Sequence, residues 1–150
     1  MATASVADRR LQSGALAYRV DKSGKARILL IGRGKGTRWG IPKGAAEPGI
    51  SLAENAAKEA FEEAGIIGQV APRAVGKFCA KKRVRAAEVT IDVWVYMLEV
   101  ESIAPTWPEK KCRRTKWVSC AKAAELLQEP LLRELCLKLA EARHPVEAEA

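Results

Sequence analysis

Histidine is almost missing from this chain. His144 is the only one in 150 residues and stands close to the last of them, which argues against a zinc site and against any mechanism that needs a histidine base. Cysteine is sparse and unpatterned. Cys79, Cys112, Cys120 and Cys136 form no C-x-x-C pair and have no histidine companions, so buried free thiols in a reducing cytoplasm are the expectation. Long apolar runs are lacking too. Stretches such as Val93 to Leu98 are far too short to span a bilayer, and the first ten residues do not have the charged-then-apolar order of a signal peptide. These absences predict a cytoplasmic protein with no membrane partner. Aromatics make up only 5% of the chain, four of them tryptophans. Trp39, Trp94, Trp107 and Trp117 are expected in core or lid positions, and Trp107, in an irregular basic stretch, is the candidate for stacking on a ligand.

Apolar residues form 48% of the sequence, enough for a core in a chain of this length. No internal repeat or long linker divides the chain, so one domain over 1–150 is predicted, with 1–10 and 144–150 loose. The charge is unbalanced: 26 Lys and Arg against 18 Asp and Glu, a net +8. A basic protein suits a polyanionic, phosphate-containing small molecule. RNA is the rival partner and is less favoured, because the basic residues are scattered and no nucleic-acid motif accompanies them.

Against that basic background one acidic segment stands out. Ser51 with Glu54 three residues on reads as a capping box, and Gly65 as a C-cap glycine. Together they predict a helix over 52–64. Ala53, Ala57, Ala60 and Ala64 fall on one stripe, small enough to lie close against a sheet. Glu59, Glu62 and Glu63 fall on another. Lys58 can reach Glu62, but no base on the helix is well placed for the other two. Three under-partnered carboxylates suit a hard divalent cation, and a solvated acidic face is the alternative.

The rest of the chain reads as strands, then more helix. Strands are predicted over 14–20 and 26–31, joined by a turn with Gly24 at positive φ. A flexible basic loop is expected over 32–38. Extended segments follow over 68–74 and 75–84, the second dense in Lys77, Lys81, Lys82, Arg83 and Arg85, either a solvated hairpin tip or a phosphate-recognition element. Residues 89–100 form the clearest strand, apolar on both faces and so expected to be covered on both. After a connection over 99–114 come a short strand at 116–118, a helix from Ser119 over 120–128, and a last helix opened by Pro130 that carries Leu131, Leu132, Leu135 and Leu139 to the core. This order implies an α/β class, an α/β/α sandwich with a mixed sheet.

Read with its loop, the acidic helix resembles the Nudix hydrolase signature, G-x5-E-x7-R-E-U-x-E-E-x-G-U with U aliphatic. Gly44 opens it, Glu59, Ala60, Glu62 and Glu63 fall in register, and Gly65 and Ile66 close it. Two positions depart: Ile50 stands for the first Glu and Lys58 for the Arg. The similarity covers about residues 13–140. Within the superfamily the chain looks most like the diphosphoinositol polyphosphate and diadenosine polyphosphate phosphohydrolases, through Trp39 before Ile41-Pro42, Glu47-Pro48, and the run from Trp107 to Trp117. The resemblance implies the sandwich fold and hydrolysis of a pyrophosphate bond in a nucleoside polyphosphate derivative, a dinucleoside polyphosphate or a diphosphoinositol polyphosphate. It implies Mg2+ or Mn2+ held by Glu59, Glu62 and Glu63, with Gly44 close to the metal and one of the glutamates acting as base. Arg38 and Lys43, with Lys81 and Arg83, would hold phosphates. Glu47 and Glu109 are further candidates for base or ligand. The alternative, suggested by Ile50 and Lys58, is a nucleotide- or RNA-binding module that does not hydrolyse.

Overall fold

A computed structural model describes residues 9–34 and 36–142. Its eight strands are β1 (Arg9–Val20), β2 (Ala26–Arg33), β3 (Arg38–Gly40), β4 (Lys43–Ala45), β5 (Ile66–Val70), β6 (Gly76–Val84), β7 (Ala87–Ile103) and β8 (Thr115–Ser119). The helices are α1 (Leu52–Ala64), α2 (Cys120–Leu126) and α3 (Pro130–Glu141). The strands join in one mixed sheet. β1 and β7 run parallel at its centre, and every other pairing is antiparallel. Alternation then splits the apolar side chains between two faces. Leu16, Ile28, Leu30, Val93 and Val95 meet α2 and α3 on one. Ala15, Ala17, Leu29, Tyr96 and Leu98 meet the alanine stripe of α1 on the other. This is the predicted α/β/α sandwich. Among the described residues no helix is long and apolar enough to cross a membrane.

What positions the site is a gap in the sheet. β1 pairs with β2 only from Ala17 to Val20, while its earlier residues Gln12 to Gly14 pair with β4 and the far end of β2 pairs with β3. β1 and β2 therefore splay apart, and the segment 38–45 fills the opening. Gly14 allows this close approach, because a Cβ there would press on Lys43 and the Pro42 carbonyl. The helix that follows has the predicted bounds. Ser51 and Glu54 exchange side-chain and backbone hydrogen bonds, and Gly65 ends the helix at φ 71 with its N–H on the Ala60 and Phe61 carbonyls. Such a cap is worth about 1 kcal/mol.

Several expectations are corrected. Residues 9 and 10, expected to be loose, begin β1, while 1–8 and 144–150 lie outside the described residues. Of the expected loop over 32–38, Gly32, Arg33 and Arg38 are already paired strand residues of the β2–β3 hairpin, and Gly34 and Gly36 take positive φ between them. β7 extends to Ile103 along β5, shortening the connection after it to 104–114. Its second face is covered only in part: Tyr96, Leu98 and Val100 are buried under α1, whereas Trp94 is exposed, because α1 does not reach the start of the strand. Cys120 and Cys136 are buried thiols, but Cys79 and Cys112 are exposed. α3 buries Leu132 and Cys136 most deeply, with Leu131, Leu135 and Leu139 half-buried around them.

Candidate active site

Gly44 and α1 meet face to face. A Cβ at Gly44 would overlap the Glu59 carboxylate, so only glycine lets that acid lie against the β4 backbone. The placement is held from within by Asn55, fully buried one turn earlier on α1. Its amide donates to Ser13 Oγ at 2.9 Å and to the Gly44 carbonyl at 3.3 Å. Asn55 was not among the expected site residues. A single amide in the alanine-rich wall of the helix, one turn before Glu59, was the signal for it.

The three glutamates do not share one environment. Glu63 is 4% exposed. Its nearest polar contacts are long: the Lys43 N–H at 3.4 Å, Arg33 Nη2 at 3.9 Å and Arg113 Nη2 at 3.8 Å. Burial lifts its pKa to about 6 against the pull of the two guanidiniums, and the charges of Glu59 and Glu109 add to the rise. Burial, reinforced by Glu62, also raises Glu59. Glu62 differs, because Lys58 reaches it at 3.1 Å and simultaneously holds Glu47 at 2.5 Å. The Lys58 ammonium is correspondingly stabilised and its pKa raised. Glu47 thus belongs to the Lys58 pair. Glu109 accepts from Arg113 Nε at 2.8 Å, and its N–H donates to the Glu62 carbonyl at 3.0 Å.

Among the described residues, no three Asp, Glu, His or Cys side chains are already gathered as a metal-ligand set. The donors nonetheless fit a hard cation. Glu59 and Glu63 are oxygen ligands whose neutral forms are favoured by burial, and among the described residues neither has a close hydrogen bond that would consume it. The Gly44 carbonyl lies beside them and accepts the Asn55 amide at 3.3 Å, and Gly44 is paired with Ser13 in the β1–β4 ladder.

On the other side of β4 lies a cleft of about 310 Å³, walled by Arg33, Arg38, Trp39 and Lys43 and floored by Ile41, Phe78, Ala80 and Leu132, with Gln128 and Glu129 at one side. Of the residues expected to hold phosphate, Arg38 and Lys43 line this cleft. Lys43 has a lowered pKa, from burial first and then from the charge of Arg33. Lys81 and Arg83 do not line the cleft. Phe78, Ala80 and Val84 pack on the α3 face of the sheet, so the odd-numbered residues between them point the opposite way. There Lys81 pairs with Glu88 at 3.6 Å, and Arg83 donates to the Ala86 carbonyl. Lys82 has the right parity and contributes to the field at Lys43.

Trp107 is not a stacking platform. Its ring covers Gly65 at the end of α1, where a Cβ would collide with it, and Lys110 lies over the ring at 5.2 Å. Trp39 is the tryptophan at the cleft. Arg114 lies 4.7 Å and Lys116 5.5 Å from its ring centroid, and Arg114 also bonds the Gly36 carbonyl.

A mixed-sheet sandwich with a glycine-held glutamate helix beside a cationic cleft defines a class, and comparison places the chain within it. The family model for the NUDIX domain matches residues 10–137, and the chain belongs to that family. It is 35% identical over 124 residues to Nudix hydrolase 21, chloroplastic, of Arabidopsis thaliana, and 33% identical over 107 residues to Nudix hydrolase 4 of the same plant. Those alignments cover 81% and 71% of this chain but 61% and 50% of the relatives, so the chain spans little more than half their length. Among solved structures, a NUDIX hydrolase from Alicyclobacillus acidocaldarius superposes with a TM-score of 0.68 at 14% identity, covering 91% of this chain and 93% of that one. A C. elegans Ap4A hydrolase binary complex gives 0.61 at 20% identity, over 86% and 93%. These likenesses confirm the fold.

Proposed function

We propose that this chain hydrolyses a pyrophosphate bond in a nucleoside polyphosphate or dinucleoside polyphosphate, using Mg2+ or Mn2+. The observation that carries the reading is the pair of under-bonded carboxylates, the half-buried Glu59 against Gly44 and the buried Glu63, beside a cationic cleft. Glu59 and Glu63, with Glu62 and the Gly44 carbonyl, would hold the cation, which supplies Lewis acidity toward phosphoryl oxygens and water. Lys43 and Arg38 neutralise phosphate charge at the cleft wall, and Arg33 adds a third cation between cleft and helix. One of the signature glutamates, or Glu109, which is fastened to the end of α1, would take the proton from the attacking water.

The cleft favours a nucleoside over a diphosphoinositol moiety. Ile41, Phe78, Ala80 and Leu132 give it an apolar floor that an aromatic base would cover, and Glu129 would repel a ring bearing phosphates on several carbons. A solved relative fold called an Ap4A hydrolase, and the NUDIX domain of Shewanella oneidensis NrtR complexed with ADP ribose, are consistent with nucleotide ligands. A panel of dinucleoside polyphosphates, nucleoside triphosphates, nucleotide sugars, inositol pyrophosphates and triphosphorylated RNA, incubated with Mg2+ or Mn2+ and resolved by product, tests the reading. Glu63→Gln is expected to lose turnover and keep its fold by circular dichroism. Full activity in that variant would reject the site.

One observation favours binding without hydrolysis: Glu62 is occupied by Lys58. Tight binding of a nucleotide with no product after long incubation with either metal would support that second reading.

A further inference from the structure

The base carried by the signature helix is committed elsewhere. Lys58 spends its charge on Glu47 and Glu62, and the buried Glu63 is left to groups outside the signature. Each of its oxygens faces one guanidinium, Oε1 facing Arg33 and Oε2 facing Arg113. We propose that Arg113 is a positioning residue that orients Glu63, the task for which Lys58 is not available; the functional consequence rests on the hydrolase reading above.

Arg113 belongs to the irregular connection 104–114, yet that connection is tied down on both sides. Ala104 N–H donates to the Gly65 carbonyl at 2.8 Å, the Trp107 ring covers Gly65, and Glu109 N–H donates to the Glu62 carbonyl at 3.0 Å. At the other end Gly32 N–H donates to the Arg114 carbonyl at 2.9 Å. The strap therefore clips the end of α1 to β2 and carries Arg113 across the acid. Glu109 fixes the guanidinium through Nε at 2.8 Å, which leaves Nη2 directed at Glu63. A planar fork held at one nitrogen is preorganised at the others, which a lysine ammonium is not. At 3.8 Å the contact is an ion pair that aligns the carboxylate without taking its lone pairs, so the oxygens stay open to a ligand. A bidentate clamp at normal hydrogen-bond length would have closed them. Arg33 on the opposite oxygen also lines the cleft. Arg113 does not, so a variant there separates orientation from substrate contact.

The test uses Arg113→Ala, Arg113→Lys and their combinations with Glu63→Gln in the full chain. Without metal or substrate at pH 7.5, Arg113→Ala is expected to lower the thermal midpoint by about 3 °C more with Glu63 present than in the Glu63→Gln background. Strictly additive midpoints would overturn the contact. In turnover, Arg113→Lys keeps the charge and loses the fork, and it should lower kcat by about tenfold with KM nearly unchanged. A raised KM with kcat preserved would make Arg113 a phosphate contact and overturn the positioning role, as would an unchanged kcat. If Arg113→Ala does not fold, Arg113→Gln removes the charge in its place and carries the thermal cycle. Should the wild-type chain cleave nothing in the substrate panel, the hydrolase reading fails, while the thermal cycle still decides whether Arg113 holds Glu63.

Discussion

Gly44→Ala isolates the geometry on which the site depends. A Cβ at this position would lie 2.5 and 2.6 Å from the two Glu59 carboxylate oxygens, roughly 1 Å inside an ordinary contact of about 3.5 Å. What it strikes is the far end of a flexible side chain, and Gly44 is not among the glycines at positive φ. The fold can therefore accommodate the methyl by swinging Glu59 aside, and the expected loss of stability is below about 1 kcal/mol. The site cannot accommodate it so cheaply. A displacement of about 1 Å in a reacting or ligating group costs on the order of 100-fold in rate, equivalent to about 2.7 kcal/mol of barrier. Urea titration would measure the first number, and kcat on the best substrate of the panel the second. A variant with wild-type turnover would refute the claim that Glu59 must lie against the Gly44 backbone. A variant that unfolds would refute the claim that the glycine serves the site and not the fold.

Glu63 also makes stability depend on pH. Its folded pKa of about 6 lies above the ordinary 4.5, so the folded chain holds this proton more tightly than the unfolded one. Its contribution is fully present below about pH 4.5 and is lost as pH rises through 6, an effect on the order of 2 kcal/mol for 1.5 units. Urea midpoints of the metal-free wild type relative to Glu63→Gln, measured from pH 4.5 to 7, should fall across that window, and a flat difference would contradict the burial argument. Lys43→Ala should raise KM by tenfold or more, since a charge-assisted phosphate contact is worth about 1.5–3 kcal/mol. Lys81→Ala, on the opposite face of β6, should leave KM within about twofold; steady-state kinetics on both variants distinguishes the two faces.

Much of the site was legible because it is local. The capping box, the alanine stripe and the C-cap glycine act over one to four residues, so the bounds of α1 follow from spacing alone. The register of Gly44 with Glu59, Glu62 and Glu63 is likewise a property of one continuous segment. The placement of Lys81 and Arg83 away from the cleft was not legible, for a different reason. A charge-rich strand does not say which of its faces looks into a cleft, and a single step in parity exchanges Lys82 for its neighbours. Trp107 was misjudged because its irregular basic surroundings hid its partner, the bare Cα of Gly65, some forty residues earlier.

From residues alone come the helix with its acids, the glycines at its ends, the sandwich class and the family likeness, since each rests on periodicity or contiguous spacing. Tertiary structure alone decided that Glu63 is buried and Glu59 half-buried against Gly44 while Glu62 is paired to Lys58, and that Asn55 holds the Gly44 backbone. It also brought Arg33 from β2 and Arg113 from the strap to opposite oxygens of one carboxylate. Those facts turn on which strands splay and which connection crosses the end of α1. Such long-range choices are set by packing of the whole sheet, and no local pattern encodes them.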